Sequence, residues 1–355
     1  MRRRWRIGIA LAALVAGIVA VPVAYIEGGC RTPVPTPAAD PRPSVLAPAE
    51  RRPFARTFLT YPEWHIVYEA DAFARHLMRG EPPSSFAYGT QIASFWTSYC
   101  AVNRATRGSA AAGDAKVMIY TIGISYTVEL AVKAAYERTI GRLFEWAGGW
   151  HSADDRYAAE VQARYGAFMH ETPWYRFPFG RALAGLWQTH EPDRHARHWE
   201  RRVALSGEYG VKAGYAWVID RATGATLGRD ETRLRFVTTA SPDAIRAIDP
   251  RLEPVRTTSD GATVVEAPRY QQFNALLEKL AAAQVPLVEI AGNHTIFVTL
   301  LLPASQPEPA GQLLAMPIGR VGWRRVGVSV RVPRLTALLR DTRATGGVVE
   351  HVYDY

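Results

Sequence analysis

Apolar and polar positions follow three patterns along the chain. Ile7 to Ile26 is a run without a charged residue. These 20 residues, at about 1.5 Å each, make a helix of about 30 Å, the thickness of a bilayer's hydrocarbon core. From 54 to 228 apolar residues recur at helical spacing between Gly and Pro breaks, and the pattern predicts six helices and no strand. From 229 onward short β-type runs alternate with two helical stretches.

In the helical region, Thr60-Tyr61-Pro62-Glu63 reads as a capping box with proline in the first turn, opening a helix that ends near Gly80. The second helix covers about Gln91–Ala105. The third covers Asp114–Trp146, stopped by Gly148-Gly149. Ser152 and Asp155 cap the fourth, which stops before Pro173. The fifth covers Gly180–Thr189 and the sixth Arg194–Ala222.

In the last third, Leu234–Val237, Thr263–Val265, Leu287–Ile290, Thr295–Leu302, Val321–Val332 and Val348–Tyr355 read as strands. Helices open at Pro268 and Pro333, and Pro303 to Pro317, with four prolines, reads as a loop. This β-α-β, β-α-β order suits a ferredoxin-like sandwich, a fold that carries no function by itself.

Two internal echoes change the picture. Glu129–Arg142 (ELAVKAAYERTIGR) and Glu208–Arg221 (EYGVKAGYAWVIDR) agree at seven of 14 ungapped positions. Phe86–Trp96 (FAYGTQIASFW) and Phe177–Trp187 (FPFGRALAGLW) share Phe, Gly, Ala and Trp, with Tyr88 opposite Phe179. Two echoes in one order argue for a duplicated three-helix unit, with repeats at about 61–146 and 153–224. The expected fold class is therefore mainly α plus α+β. A membrane anchor (1–30) and a Pro-rich linker (31–53) precede duplicated three-helix units forming a helical bundle (54–228). A ferredoxin-like α+β domain (229–355) follows.

Charge sharpens the repeat. The chain has 42 Lys+Arg against 33 Asp+Glu, net +9, and only Lys116, Lys133, Lys212 and Lys279 are lysines. Lysine at both equivalent positions of the echo marks a place where a compact ammonium fits and a planar guanidinium does not. Glu129–Lys133 and Glu208–Lys212 are i,i+4 pairs in the favourable order, within apolar stretches. The expectation is that the two long helices pack closely through Ala131, Ala135, Gly210 and Gly214. The four charges would then form one buried cluster.

Arg2, Arg3, Arg4 and Arg6 precede the apolar run, which predicts a signal-anchor helix with the rest of the chain on the exported side. Pro22 spoils the best cleavage site, ending at Ala24, and Glu27 spoils a lipobox at Cys30. The spacer from Arg31 to Pro53 holds seven prolines and is expected to be extended. Cys30 and Cys100 make no disulfide framework or CxxC site, and Cys100 is expected to be a small buried residue.

No GxSxG, Walker, GxGxxG or HExxH motif occurs, and no cofactor is implied. His190, His195 and His198 are the only candidate metal ligands, at a spacing that Pro192 breaks. Tyr61, Trp64, His65 and Tyr68 form an aromatic stripe expected in the core. No aromatic-basic or helix-turn-helix pattern points to nucleic acid. The functional expectation is a non-enzymatic envelope protein, held by its N-terminal helix, that binds a partner protein or envelope ligand (lipid included) near the membrane. The alternative is an enzyme using Glu129, Lys133, Glu208 and Lys212.

Overall fold

The structure, a computed structural model, describes residues 17–30, 42–52, 55–106, 112–190, 196–224, 232–318 and 320–353. The first half of the Ile7–Ile26 run, about half of the Pro-rich spacer, and His195 lie outside the described residues. Two units result. One comprises Pro62–Thr97, Ile119–Gly228 and the residues up to Tyr25; the other comprises Ile26–Tyr61, Ser98–Met118 and Arg229–Tyr355.

The helices are α1 (Gly17–Gly29), α2 (Ala55–Met78), α3 (Tyr88–Thr106), α4 (Ala112–Tyr136), α5 (Arg142–Gly148), α6 (Ala153–Met169), α7 (Phe179–Leu186) and α8 (Ala196–Gly224). A π turn, Glu137–Gly141, joins α4 to α5, so the expected third helix is continuous but bulged. α2 begins at Ala55, five residues before the expected start, and Pro62 lies inside it. Thr60 is therefore not the N-cap of this helix, because the preceding residues are already helical. Proline there removes a backbone donor without ending the helix. At α6 the expected box is present: Asp155 N donates to Ser152 Oγ, and Ser152 N donates to Asp155 Oδ2, both at 3.1 Å.

Within this unit the buried core gathers Ala70 of α2, Val161 and Tyr165 of α6, Phe179 and Leu186 of α7, and Leu205 and Tyr209 of α8. Of the aromatic stripe, Trp64 and His65 are buried and Tyr68 is half-buried.

Among the described residues the second unit carries eight strands: β1 (Arg233–Thr238), β2 (Glu253–Thr257), β3 (Thr263–Pro268), β4 (Leu287–Ile290), β5 (Thr295–Pro303), β6 (Gln312–Pro317), β7 (Trp323–Arg331) and β8 (Val348–Tyr353). Its helices α9 (Pro242–Ile248), α10 (Tyr270–Ala282) and α11 (Val332–Ala344) lie between them in sequence. The single expected sandwich is in fact two antiparallel four-stranded sheets, ordered β2-β3-β1-β4 and β6-β7-β5-β8. One apolar core serves both, with Leu276, Leu280, Leu335 and Leu339 of the helices among Phe236, Val265, Val298, Val326 and Val352 of the strands.

Three elements escaped the sequence pattern: β2, α9 and β6. Both strands are sheet edges and carry proline, where one face sees solvent and no ladder donor is needed on the free side. The loop expected from Pro303 to Pro317 therefore ends in a strand.

On the outer face of the first sheet, Leu46 packs on Val237 and Val264. Glu50 is held by Arg256 at 2.6 and 2.8 Å and by Arg235. The Arg256 hydrogen bond outweighs partial burial and brings its carboxyl down to about 2. Cys30 and Cys100, both buried, are joined in a disulfide. This corrects the expectation of unpaired thiols: 70 residues separate them in sequence, and only the fold brings their Cα atoms to 5.4 Å.

Candidate functional site

Two helices supply the four predicted charges. Lys133 of α4 donates to Glu208 Oε1 of α8 at 3.0 Å. Lys212 of α8 pairs with Glu129 of α4 at 2.9 Å and donates to Glu208 at 3.1 Å. The sequence numbers run in opposite senses across the contact (129 to 212, 133 to 208), so α4 and α8 are antiparallel here. The ammonium groups also sit over aromatic rings. Lys133 Nζ is 4.4 Å from the Phe73 centroid; Lys212 Nζ is 5.3 Å from Tyr165 and 5.8 Å from Phe179. That seat explains lysine in an arginine-rich chain: a point charge can face a ring and two carboxylates at once.

Two expectations need correction. The cluster is not sealed: the Lys133 and Lys212 side chains are 16% exposed, Glu208 24% and Glu129 50%. Nor do small residues bring the helices together. A Cβ built on Gly210 or Gly214 meets nothing within 4 Å, so both glycines face away from the crossing. Long side chains, not backbone proximity, make this contact.

The sequence reading missed the cluster's third carboxyl, Glu69 of α2. It lines a cavity of about 20 Å³ together with Tyr126, Glu129, Lys133, Gln162, Tyr165 and Lys212. That volume holds about one water molecule. Burial pushes the Glu69 carboxyl up to about 7; Lys133 and Lys212 oppose the shift, and Glu129 and Glu208 add to it. Burial also works against Glu208, but Lys133 and Lys212 outweigh it and hold that carboxyl well below the usual range. Lys212 is the converse: burial lowers it, yet Glu129 and Glu208 raise it well above an ordinary lysine. No local sequence signal marks Glu69: it stands one turn before Phe73, but only the fold places that ring beneath Lys133.

A second charged centre lies where α8 begins. Arg197 is fully buried and donates to Asp155 Oδ1 at 2.9 Å, Glu200 Oε2 at 2.9 Å and the Gly141 carbonyl at 3.1 Å. Arg201 reaches Glu137 at 2.7 Å, and Arg202 the Thr189 carbonyl at 2.9 Å. Burial raises the Glu200 carboxyl. For Arg201, burial is outweighed by Glu137, Asp155 and Glu200, and its guanidinium is raised. This network ties α8 to α6 and to the π turn. The two described candidate histidines make other contacts. His198 Nδ1 contacts Asp154 Oδ2 at 2.9 Å, while exposed His190 contacts the Gln188 carbonyl at 2.8 Å. Among the described residues no group of three or more His, Cys, Asp or Glu could hold a metal ion.

The Phe-x-[Tyr/Phe]-Gly segments adopt one local structure. Ser85 N bonds Pro82 O at 3.0 Å, Phe86 N bonds Pro83 O at 3.2 Å, and Gln91 N bonds Ala87 O at 3.2 Å. Ninety-one residues later, Arg176 N bonds Pro173 O at 3.0 Å, Phe177 N bonds Trp174 O at 3.1 Å, and Ala182 N bonds Pro178 O at 3.1 Å. Ring centroids are 5.0 Å apart for Phe86–Tyr88 and 4.9 Å for Phe177–Phe179. Comparison of the chain with known protein families, characterised proteins and solved structures finds no match.

Proposed function

We propose that this chain is a single-pass envelope protein. Its helical unit, built from two copies of a three-helix element, binds a partner protein beside the membrane, and the charge cluster acts as its structural keystone. One observation carries the binding role: the apolar outer surfaces of α4 and α8. Val132 and Val211, equivalent in the echo, are 64% and 74% exposed, and Val128, Val203, Trp217 and Val218 are exposed as well. Gly207, Gly210 and Gly214 lie open on α8. An apolar helix of another envelope protein fits such a surface, because small residues let two backbones approach.

The duplication is supported by the matching backbone bonds and by the reciprocal Lys–Glu pairs. The same strand order in both sheets suggests that the second unit, too, holds two ferredoxin-like modules, the later one without its first helix. Exported location is supported by the charge-free run behind four arginines and by the Cys30–Cys100 disulfide, a bond of oxidising compartments. The segment Lys116–Gly148 is long and apolar enough to cross a membrane. We read it as part of the exported bundle, because Glu129 and Lys133 in its middle are spent on α8.

An enzyme at the Glu–Lys cluster is the second reading, favoured by Glu69, whose carboxyl titrates near neutrality as a general acid–base group should. A cavity for one water leaves no room for an organic substrate, so the scaffold reading is preferred. Photo-crosslinkers at Val132 and Val211, in cells also carrying a C-terminal alkaline phosphatase fusion, test the proposal. It expects an active fusion and one discrete protein adduct shared by both positions. An inactive fusion, or crosslinks to lipid alone, refutes it.

A further inference from the structure

The cluster contains three carboxyl groups and two ammonium groups. Lys133 serves Glu208, and Lys212 serves Glu129 and Glu208. Among the described residues Glu69 has neither an ion pair nor a hydrogen-bond partner. Facing it across the cavity are Tyr126, Glu129 and Lys133 from α4, Gln162 and Tyr165 from α6, and Lys212 from α8. Glu208 acts on it through its charge. On its own helix, Asp71 is turned away, 2.7 Å from His170. With every group ionised the site would hold one uncompensated negative charge.

Glu69 is half-buried; a polar group that is buried outright lines the same cavity. Tyr126 is only 4% exposed, and its hydroxyl has no hydrogen-bond partner. Buried polar atoms without partners are rare, and a cavity of about 20 Å³ is large enough for the water that would satisfy this one.

We infer that this cavity is a site for one proton and one water, the proton on Glu69 and the water bridging its carboxyl to the Tyr126 hydroxyl. The proton cancels the excess charge and gives Glu69 a donor. The water accepts that donor and pairs with the hydroxyl. A metal cation is a poorer occupant, because two ammonium groups adjoin the cavity. The raised Glu69 carboxyl agrees with this assignment. The inference rests on the cluster alone and is independent of the partner-binding reading.

Its consequence is a pH response with a defined sign. The folded chain holds the proton more tightly than the unfolded chain, whose glutamate loses it near 4.5. Between there and about 7 the folded state binds more protons, so stability falls as pH rises and stays lower above 7.

Infrared difference spectroscopy on the full chain in detergent tests the proposal. The wild type should lose one protonated-carboxyl carbonyl band as pH is raised through neutrality, and Glu69→Gln should lack that change. Glu129→Gln removes a like charge and frees Lys212, so the midpoint should fall by about one unit or more. Tyr126→Phe should keep the band but move its midpoint or frequency. Replacing sodium by choline should change nothing. A band absent from the wild type at pH 6 overturns the proton, and so does one that persists unaltered in Glu69→Gln. If Glu69→Gln does not fold, Glu129→Gln decides: its carboxylate is half in solvent, and an unmoved midpoint separates Glu69 from the cluster. Dependence on sodium would make the cavity a metal-cation site, and an unaltered Tyr126→Phe spectrum would remove the water bridge.

Discussion

Glu208→Gln is the most direct test of how the helical unit is held. The Glu208 carboxylate accepts from Lys133 at 3.0 Å and from Lys212 at 3.1 Å. The substitution preserves shape and removes the charge. Lys212 keeps Glu129, but Lys133 loses its only carboxylate partner among the described residues while still 16% exposed above the Phe73 ring. Hydrogen bonds to charged groups contribute about 1.5–3 kcal/mol each, and partial solvent access moves these two toward the lower end. The expected loss is about 2–3 kcal/mol, below the ~3–5 kcal/mol of breaking a fully buried pair. For a unit of this size that is a fall in Tm of roughly 4–12 °C. An exposed i,i+4 pair would change Tm by little more than a degree, at about 0.2–0.5 kcal/mol. Denaturant melts of Glu208→Gln, Lys133→Met and the double variant isolate the coupling. The double variant should recover part of the loss, since no stranded charge remains. pH gives a second readout with a fixed sign. Glu208 is held below the unfolded value near 4.5, so its contribution is present at neutrality and is lost as acid protonates the folded carboxylate. A Glu208→Gln melt within a degree of wild type from pH 5 to 8, with zero coupling, would refute the argument.

Two further substitutions probe other supports. Cys100→Ser opens a 70-residue covalent loop, for which chain entropy alone assigns about 4–5 kcal/mol. The variant should unfold at lower denaturant and lose the gel-mobility difference between reduced and unreduced wild type. Arg197→Ala removes the cation that Asp155 and Glu200 share and leaves Arg201 alone to face both in the interior, so it should cost about 3–5 kcal/mol by chemical denaturation. Arg197→Lys should restore little, because one ammonium cannot replace the fork that also reaches the Gly141 carbonyl.

The sequence by itself determined the elements whose signals are local. The apolar period of 3.6 and the Gly and Pro breaks placed α2 to α8 to within a few residues, except at the α2 start. The Ser152–Asp155 box set the first turn of α6, since a cap depends only on its own neighbours. The echo of Glu129–Lys133 in Glu208–Lys212 picked out four charges that the structure brings into one cluster, because unusual lysines stand out in a chain of arginines. Tertiary structure decided everything that depends on distance across the chain. It exchanged the intrahelical Glu129–Lys133 pair for Lys133–Glu208 and Lys212–Glu129, a choice set by how α4 and α8 cross. It turned Gly210 and Gly214 outward, paired Cys30 with Cys100, and split one expected sandwich into two sheets, of whose edge strands β2 and β6 carry too little alternation to read. It added Glu69, which looks like any surface acid until its surroundings are known. A carboxyl's chemistry depends on the dielectric and charges around it, and those come from residues distant in sequence that only the packed fold brings together.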